Sequence, residues 1–486
     1  MKPRFAFFAA VIGFAMSMTQ AKADVPGNGK GLPDELGKYN VGHTELTITT
    51  KDSLNEVRPI NVDVWYPADK EAWDNGSASQ YTSHLNGMTL IPSKWDPLSW
   101  FVSSDVAHEG VAFDKHGPFP VIIFSPGSLT GAIEYARTLE LVASHGYVVA
   151  GMTHNGDSPD DLRVQFLTTS NGNKQVLDCP DNLAAPCVDT TAKSVLDRSH
   201  DLSVVLDTLP VAFPGQVDMD RVIGMGHSRG TVTMLGAAGG SAFFHFGSEP
   251  RVRGVIGFAA GAPAVIFNID LKNVLVPTVL VAGEIDRNTP SITSEQAYGT
   301  IKSQDKAFIV VNNAEHRHFG SSFCDATQAS GATAIVNPTR RILDTDTLRR
   351  RLIGGVGGDA VNLCGYGTFT DPEDIRPLVL SLTGFNVTQT NVPGDGIDVA
   401  EVHRLMSAIS VTFFNAVNKA LRHQDEVDDD GNVCPGGYCV PDVRFKKYLS
   451  PKWILKKEVN ILSEVVLTGE DMKALDCRAG EEGCED

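Results

Sequence analysis

The sequence predicts an α/β fold in which a mostly parallel sheet of eight strands carries helices on both faces. Short apolar segments recur along the chain, and helical patterns alternate with the later ones, as is typical of parallel sheets. The predicted strands are Val41–Thr50, Ile60–Tyr66, Val121–Phe124, Tyr147–Met152, Arg221–Met225, Val252–Ala259, Thr278–Ala282 and Ala307–Val311. The predicted helices are Glu134–Ser144, Ser194–Leu209, Ser291–Ile301 and Val399–Arg422.

The boundaries of these elements follow from their flanking residues. The third strand is a wholly apolar run that ends at Ser125, and the seventh lies between Pro277 and Gly283. The eighth strand runs directly into a polar segment. The last helix follows Asp398, a residue type that favours the N-cap position. These three strands and the last helix are therefore bounded by the residues next to them.

The fifth strand leads into Gly226-His227-Ser228-Arg229-Gly230, and a helical pattern follows at Thr231. A serine in a G-x-S-x-G sequence on a sharp strand-to-helix turn projects its hydroxyl into a cleft. We therefore predict Ser228 as a nucleophile. The alternative is a chance pentapeptide in a glycine-rich chain, so the partner residues must decide.

Two polar residues follow later strands in the order that this turn requires, acid and then histidine. Asp286 follows the seventh strand, and His316 follows the eighth. A serine hydroxyl needs an imidazole to accept its proton, and the imidazole needs a carboxylate to fix its tautomer. We predict His316 as general base and acid and Asp286 as the orienting carboxylate. Glu284 and His318 are the alternatives.

An acyl-transfer site also needs hydrogen-bond donors for the oxyanion. One should be the backbone N–H of Arg229, which follows the nucleophile, and the other should come from the loop after the third strand. In that loop Gly127 allows close backbone approach, so the predicted second donor is Ser128. The alternative is an ordinary glycine turn.

Several motifs together resemble a known group of proteins. They are Val64-Trp65-Tyr66-Pro67, Phe124-Ser125-Pro126-Gly127, Ala143 to Val149, Asp197-Arg198 with Asp201 to Asp207, and the turn at Ser228. The chain resembles the predicted dienelactone hydrolase and platelet-activating-factor acetylhydrolase-like branch of the α/β-hydrolases. Around the Ser-Pro-Gly loop and from Pro277 to His316 it is also similar to bacterial cutinases and polyesterases. The resemblance implies metal-independent hydrolysis of carboxylic esters through an acyl-enzyme.

One departure from the acetylhydrolases concerns the acid. Their carboxylate follows the strand after the nucleophile, where this chain has Phe258-Ala259-Ala260-Gly261-Ala262-Pro263. The position of Asp286 is instead the one shared with cutinase-like and dienelactone hydrolases. This difference weakens the expectation of a phospholipid substrate.

The N-terminal segment and the cysteines indicate export. Residues 1–23 combine early basic residues, an apolar run and Ala21-Lys22-Ala23, which predicts a cleaved signal peptide and a secreted or periplasmic protein. An even number of cysteines in such a compartment fits disulfides. Local pairing would join Cys179 with Cys187, Cys324 with Cys364, Cys434 with Cys439, and Cys477 with Cys484. Zinc binding is the alternative for Cys434 and Cys439, but no nearby histidine pair or second CxxC motif completes a tetrahedral set of ligands.

The remaining composition limits partners and cofactors. A net charge of −18 argues against nucleic acid, which requires a basic face. The acidic run 428–430 lacks the carboxylate that would complete a calcium loop. We expect no cofactor, no metal and no transmembrane segment. The expected partner is a small-molecule, lipid or polymeric ester, and the sequence leaves the oligomeric state open.

These observations predict a catalytic domain at 24–319 and 398–423, a cap at 320–397 and a disulfide-stapled tail at 424–486. The alternative for 320–397 is a peripheral decoration without substrate contact. Residues 68–116 and 155–193, like 320–397, do not fit the minimal fold, and we expect these three stretches to determine specificity. The predicted function is a secreted serine hydrolase of carboxylic esters. A hydrolase-fold acyltransferase and a non-catalytic protein that binds a lipid or partner are the alternatives.

Overall fold

The computed structural model describes residues 34–84, 99–128, 130–155, 157, 186–260, 268–286, 289–314, 316–320, 399–421, 462–468 and 475–478. The predicted signal peptide lies outside the described residues, as do residues 321–397 of the predicted cap. Among the disulfide candidates, Cys179, Cys324, Cys364, Cys434, Cys439 and Cys484 lie outside them as well. Cys187 and Cys477 fall in elements whose side chains are not described there. The cap and the disulfides therefore stay predictions.

A single twisted sheet of twelve strands organises the described residues. The strands are β1 (Asn40–Lys51), β2 (Val57–Ala68), β3 (Ala78–His84), β4 (Ser99–Glu109), β5 (Phe119–Ser125), β6 (Val148–Thr153), β7 (Val217–His227), β8 (Val252–Phe258), β9 (Thr278–Gly283), β10 (Lys306–Val311), β11 (Leu462–Thr468) and β12 (Leu475–Arg478). Their order across the sheet is β12-β11-β10-β9-β8-β7-β5-β6-β2-β1-β4-β3. The block from β6 through β10 is parallel.

All eight predicted strands are present, and the sheet is wider than predicted by four strands. Two of the additional strands, β3 and β4, come from the insertion at 68–116, and β11 and β12 come from the predicted tail. β3 has the sequence ASQYTSH, whose polar character hides its strand identity. Because β11 pairs antiparallel with β10, part of residues 424–486 belongs to the sheet. The expectation that this region is only a tail is corrected accordingly.

Helices cover both faces of the sheet, as the alternation predicted. They are α1 (Lys70–Asp74), α2 (Ala136–Ser144), α3 (Pro186–Ala212), α4 (Arg229–Gly239), α5 (Ser291–Thr300) and α6 (Val399–Leu421). One apolar core lies between the sheet and α2 with α6, and the other lies between the sheet and α3, α4 and α5. Within the part of the chain that is described, no helix is both long and apolar enough to span a bilayer.

The parallel block determines where functional groups can gather. Strands β5, β8 and β9 are buried along their whole length, which is the pattern of strands covered on both faces. Since parallel neighbours end at the same edge, the residues that follow β5, β7, β9 and β10 come together there.

Candidate active site

Ser228 occupies a strained turn between β7 and α4. Its φ and ψ are 52° and −122°, a region that side chains rarely adopt. Its backbone N–H donates to the carbonyl of Phe258 at 2.8 Å, which fixes the turn against β8. The hydroxyl is thereby carried past the edge of the sheet.

The two glycines that flank this turn are required by close backbone contacts. A Cβ on Gly230 would lie 1.8 Å from the carbonyl oxygen of Ser125. A Cβ on Gly226 would lie 2.4 Å from the carbonyl group of Gly230. Both distances are far below any van der Waals contact, so the G-x-S-x-G spacing is a consequence of the packing and not of chance composition.

The structure brings the predicted serine, histidine and aspartate into one hydrogen-bonded chain. His316 Nε2 lies 2.8 Å from Ser228 Oγ, and His316 Nδ1 lies 2.9 Å from Asp286 Oδ2. An ionised carboxylate only accepts, so Nδ1 carries the proton and Nε2 is free to accept one from the serine. The carboxylate side chain of Asp286 is fully buried, whereas the imidazole is partly exposed to the cleft.

The two alternative residues have other roles. Glu284 accepts the backbone N–H of Asn313 at 2.9 Å. His318 is buried and lies with His316 in a 3-10 turn, His316–Phe319. Residues two apart on a 3-10 turn point in different directions. The imidazoles of His316 and His318 are therefore separated.

Thr289 is a site residue that the sequence reasoning missed. Its backbone N–H donates to Asp286 Oδ1 at 2.7 Å, and its hydroxyl donates to Asp286 Oδ2 at 2.6 Å. The hydroxyl oxygen also lies 2.9 Å from His316 Nδ1. An Asp followed three positions later by Thr is a common local side-chain-to-backbone motif, and this spacing could have identified it.

His227 and Tyr135 form a second support that was missed. His227 Nε2 lies 3.0 Å from the backbone carbonyl of His316, and the Tyr135 hydroxyl lies 2.7 Å from His227 Nδ1. Because the carbonyl only accepts, Nε2 is the protonated nitrogen and the tyrosine O–H donates to Nδ1. Burial and the charge of Glu134 raise the pKa of Tyr135, which keeps that donor protonated.

The two predicted oxyanion donors come from the first residue after the nucleophile and from the loop after β5. Arg229 is the first residue of α4, so its backbone N–H lies in the first turn of that helix, directly after the nucleophile. Ser128 is half-buried in the loop after β5. The preceding Gly127 packs against the nucleophile so closely that a Cβ there would lie 3.4 Å from Ser228 Cβ.

Comparison with known proteins finds one family pattern that matches part of the chain. The sequence pattern of platelet-activating factor acetylhydrolase, isoform II, matches residues 26–209, a range that ends before the nucleophile turn. No curated protein matches the chain. Among solved structures, a ferulic acid esterase from Streptomyces cinnamoneus aligns with 18% identity and a TM-score of 0.46, covering 82% of this chain and 94% of that one. The predicted resemblance to acetylhydrolase-like α/β-hydrolases is confirmed for residues 26–209.

Proposed function

We propose that this chain is a serine hydrolase that cleaves carboxylic esters through an acyl-enzyme on Ser228. The observation that carries the proposal is the hydrogen-bonded chain from Ser228 Oγ through His316 to Asp286, with distances of 2.8 and 2.9 Å. His316 removes the serine proton as the hydroxyl attacks the ester carbonyl, and then donates that proton to the leaving alcohol. The same imidazole next activates water, which releases the acid and regenerates the serine.

Asp286 keeps the imidazole in the tautomer that this cycle needs. Its buried carboxylate also stabilises the imidazolium that forms when His316 takes the proton. The amides of Arg229 and Ser128 are proposed to bind the oxyanion of the tetrahedral intermediate. Donors of this kind act because they are in place before charge develops on the carbonyl oxygen.

Water is proposed as the final acceptor, and residues 1–23 are proposed to direct export of the protein. An acyltransferase would use the same residues and differ only in what attacks the acyl-enzyme. Adding methanol to the ester assay separates the two. Methyl ester formation that outpaces acid release at low methanol would favour acyl transfer.

The direct test measures hydrolysis of p-nitrophenyl esters from acetate to palmitate by wild type, Ser228→Ala and Asp286→Asn. We expect Ser228→Ala to lose turnover and Asp286→Asn to lose about 10⁴-fold in kcat, as in the serine-protease case where the wrong tautomer is favoured. Ser303→Ala is a matched control, because the Ser303 hydroxyl donates to the Asp305 carbonyl at 2.8 Å, just before β10. Full activity in folded Ser228→Ala would refute the proposal.

A fluorophosphonate probe supplies a second readout of the same nucleophile. Peptide mapping should place the adduct on Ser228 in the wild type and in Ser303→Ala. Labelling of another residue in a folded Ser228→Ala protein would contradict the assignment. The chain length of the best ester then reports the size of the acyl pocket.

A further inference from the structure

A buried arginine lies directly behind the loop that carries the second proposed oxyanion donor. Arg198, on α3, has 1% of its surface exposed. Its Nη1 donates to the carbonyl of Pro126 at 2.8 Å, and its Nη2 donates to the carbonyl of Gly127 at 3.0 Å. Nη1 also lies 3.3 Å from Ser125 Oγ. One guanidinium therefore holds two consecutive peptide groups of this loop.

Fixing a carbonyl also fixes the N–H of the next residue. A trans peptide is planar, so its C=O and N–H point in opposite directions. The first of the two peptides shows the effect, because the Gly127 N–H turns away from Arg198 and lies 3.4 Å from the Tyr135 hydroxyl. In the second peptide, the bond from Arg198 to the Gly127 carbonyl turns the Ser128 N–H away from the guanidinium.

We propose that Arg198 is a positioning residue that aims the backbone N–H of Ser128 at the oxyanion. This inference rests on the proposed function and adds to it the group that sets the direction of the second donor. A Cβ on Gly127 would lie 3.4 Å from Ser228 Cβ, so the adjoining amide starts next to the reacting centre. Glycine leaves this loop flexible, and the two bonds from Arg198 remove that freedom.

The buried charge of Arg198 is balanced within the same cluster. Asp157 Oδ2 accepts from Arg198 Nε at 3.0 Å and from the Ser194 hydroxyl at 2.9 Å. Burial acts to raise the pKa of Asp157, but the charges of Arg198 and Arg229 outweigh it and leave that pKa below its usual range. The carboxylate is thus ionised and completes a compensated ion pair, as a buried cation requires.

This arrangement requires the planar guanidinium of an arginine, which offers donors from three nitrogens. Two carbonyls from successive peptides are bound by two different nitrogens of one plane, while the third nitrogen binds Asp157. A lysine offers a single point charge on a flexible stem and cannot hold both peptides in this way. Arg198→Lys should therefore keep the positive charge beside Asp157 but release the orientation of Ser128.

The experiment compares a transition-state analogue with a ground-state analogue on the same variant. A trifluoromethyl ketone with the preferred acyl chain forms a hemiketal oxyanion on the serine, whereas the matching secondary alcohol forms none. For Arg198→Lys we expect kcat to fall 10- to 100-fold with KM nearly unchanged, since removal of an oxyanion donor costs about 10²–10³-fold. The affinity for the ketone should fall in parallel, and that for the alcohol should stay within about twofold.

Arg221→Lys is the matched control, because the wild-type Arg221 guanidinium donates to Asp218 and Asn418 and not to the loop after β5. It should leave both affinities and kcat unchanged. Asp157→Asn provides a second test if Arg198→Lys does not fold, and it should give a smaller loss with the same preference for the ketone. Thermal unfolding checks that each variant is folded.

Two results would overturn the inference. Equal weakening of ketone and alcohol binding would indicate a general structural role, and unchanged ketone affinity would show that Arg198 does not aim the donor. Either result leaves the proposed function intact provided that Ser228→Ala is inactive. Activity in Ser228→Ala would instead refute the function itself.

Discussion

Replacing Thr289 by valine tests how the acid of the site is held. Valine keeps the shape of threonine and removes only the hydroxyl, which donates to Asp286 Oδ2 at 2.6 Å and lies 2.9 Å from His316 Nδ1. The backbone bond from Thr289 N–H to Asp286 Oδ1 is retained. The substitution therefore removes one donor from the carboxylate and one acceptor from the imidazole.

The size of the effect follows from the charge of the acceptor. A hydrogen bond to a charged group contributes about 1.5–3 kcal/mol net, and each 1.36 kcal/mol in the barrier is a tenfold change in rate. Complete loss of this hydrogen bond in the transition state would thus slow the reaction by about 10- to 150-fold. Since the ground state also contains this bond, only the part that strengthens as the imidazolium forms reaches kcat. We expect about a tenfold fall in kcat for Thr289→Val.

The assay is steady-state hydrolysis of the best p-nitrophenyl ester, with thermal unfolding of each protein. Thr289→Ser keeps the hydroxyl and should retain kcat within about threefold. Thr293→Val is the matched control, because that hydroxyl donates to the Pro290 carbonyl at 2.7 Å and touches neither Asp286 nor His316. Wild-type kcat in Thr289→Val, or equal losses in the serine and valine variants, would refute the reasoning.

Three further predictions concern the turn and its surroundings. Tyr135→Phe removes the donor to His227 Nδ1 and should lower kcat about threefold to tenfold with KM unchanged; steady-state kinetics that show wild-type kcat would contradict this. Gly230→Ala should give no measurable turnover, because its Cβ would lie 1.8 Å from the Ser125 carbonyl oxygen; an active, folded variant would disprove the packing argument. Burial raises the pKa of Glu140, so the native state holds its proton more tightly than the unfolded state, and stability falls as pH rises through the folded pKa. The Tm of Glu140→Gln minus that of wild type should therefore increase from pH 4 to pH 8. A difference that decreases over this range would show that the pKa of Glu140 is not raised by folding.

The central strands and the nucleophile turn were predictable because their signals are local. Each buried strand is a short apolar run between breaking residues, and Ser228 lies between two glycines that its own turn requires. The polar residues that follow β9 and β10 could be placed near it because parallel strands end together. The chain order of Asp286 and His316 then left few alternatives.

The supports of the site were harder to predict because they depend on contacts between distant segments. Tyr135 and His227 are 92 residues apart, and Arg198 is 71 residues from Gly127. No periodic sequence pattern links the two members of either pair. β3 was missed for a different reason, since its sequence ASQYTSH is mostly polar and resembles a loop until β4 pairs with it.

The pairing of β11 with β10 has a consequence for the synthesis of the protein. β10, whose residues from Ala307 to Val311 are buried and apolar, leads to His316, and among the described residues its edge opposite β9 pairs with 462–468. Until that segment has emerged from the ribosome, the edge presents unpaired amides and carbonyls to other chains, as any open strand does. A chain shortened before residue 462 keeps every proposed catalytic residue, yet it carries a permanently open edge that favours aggregation.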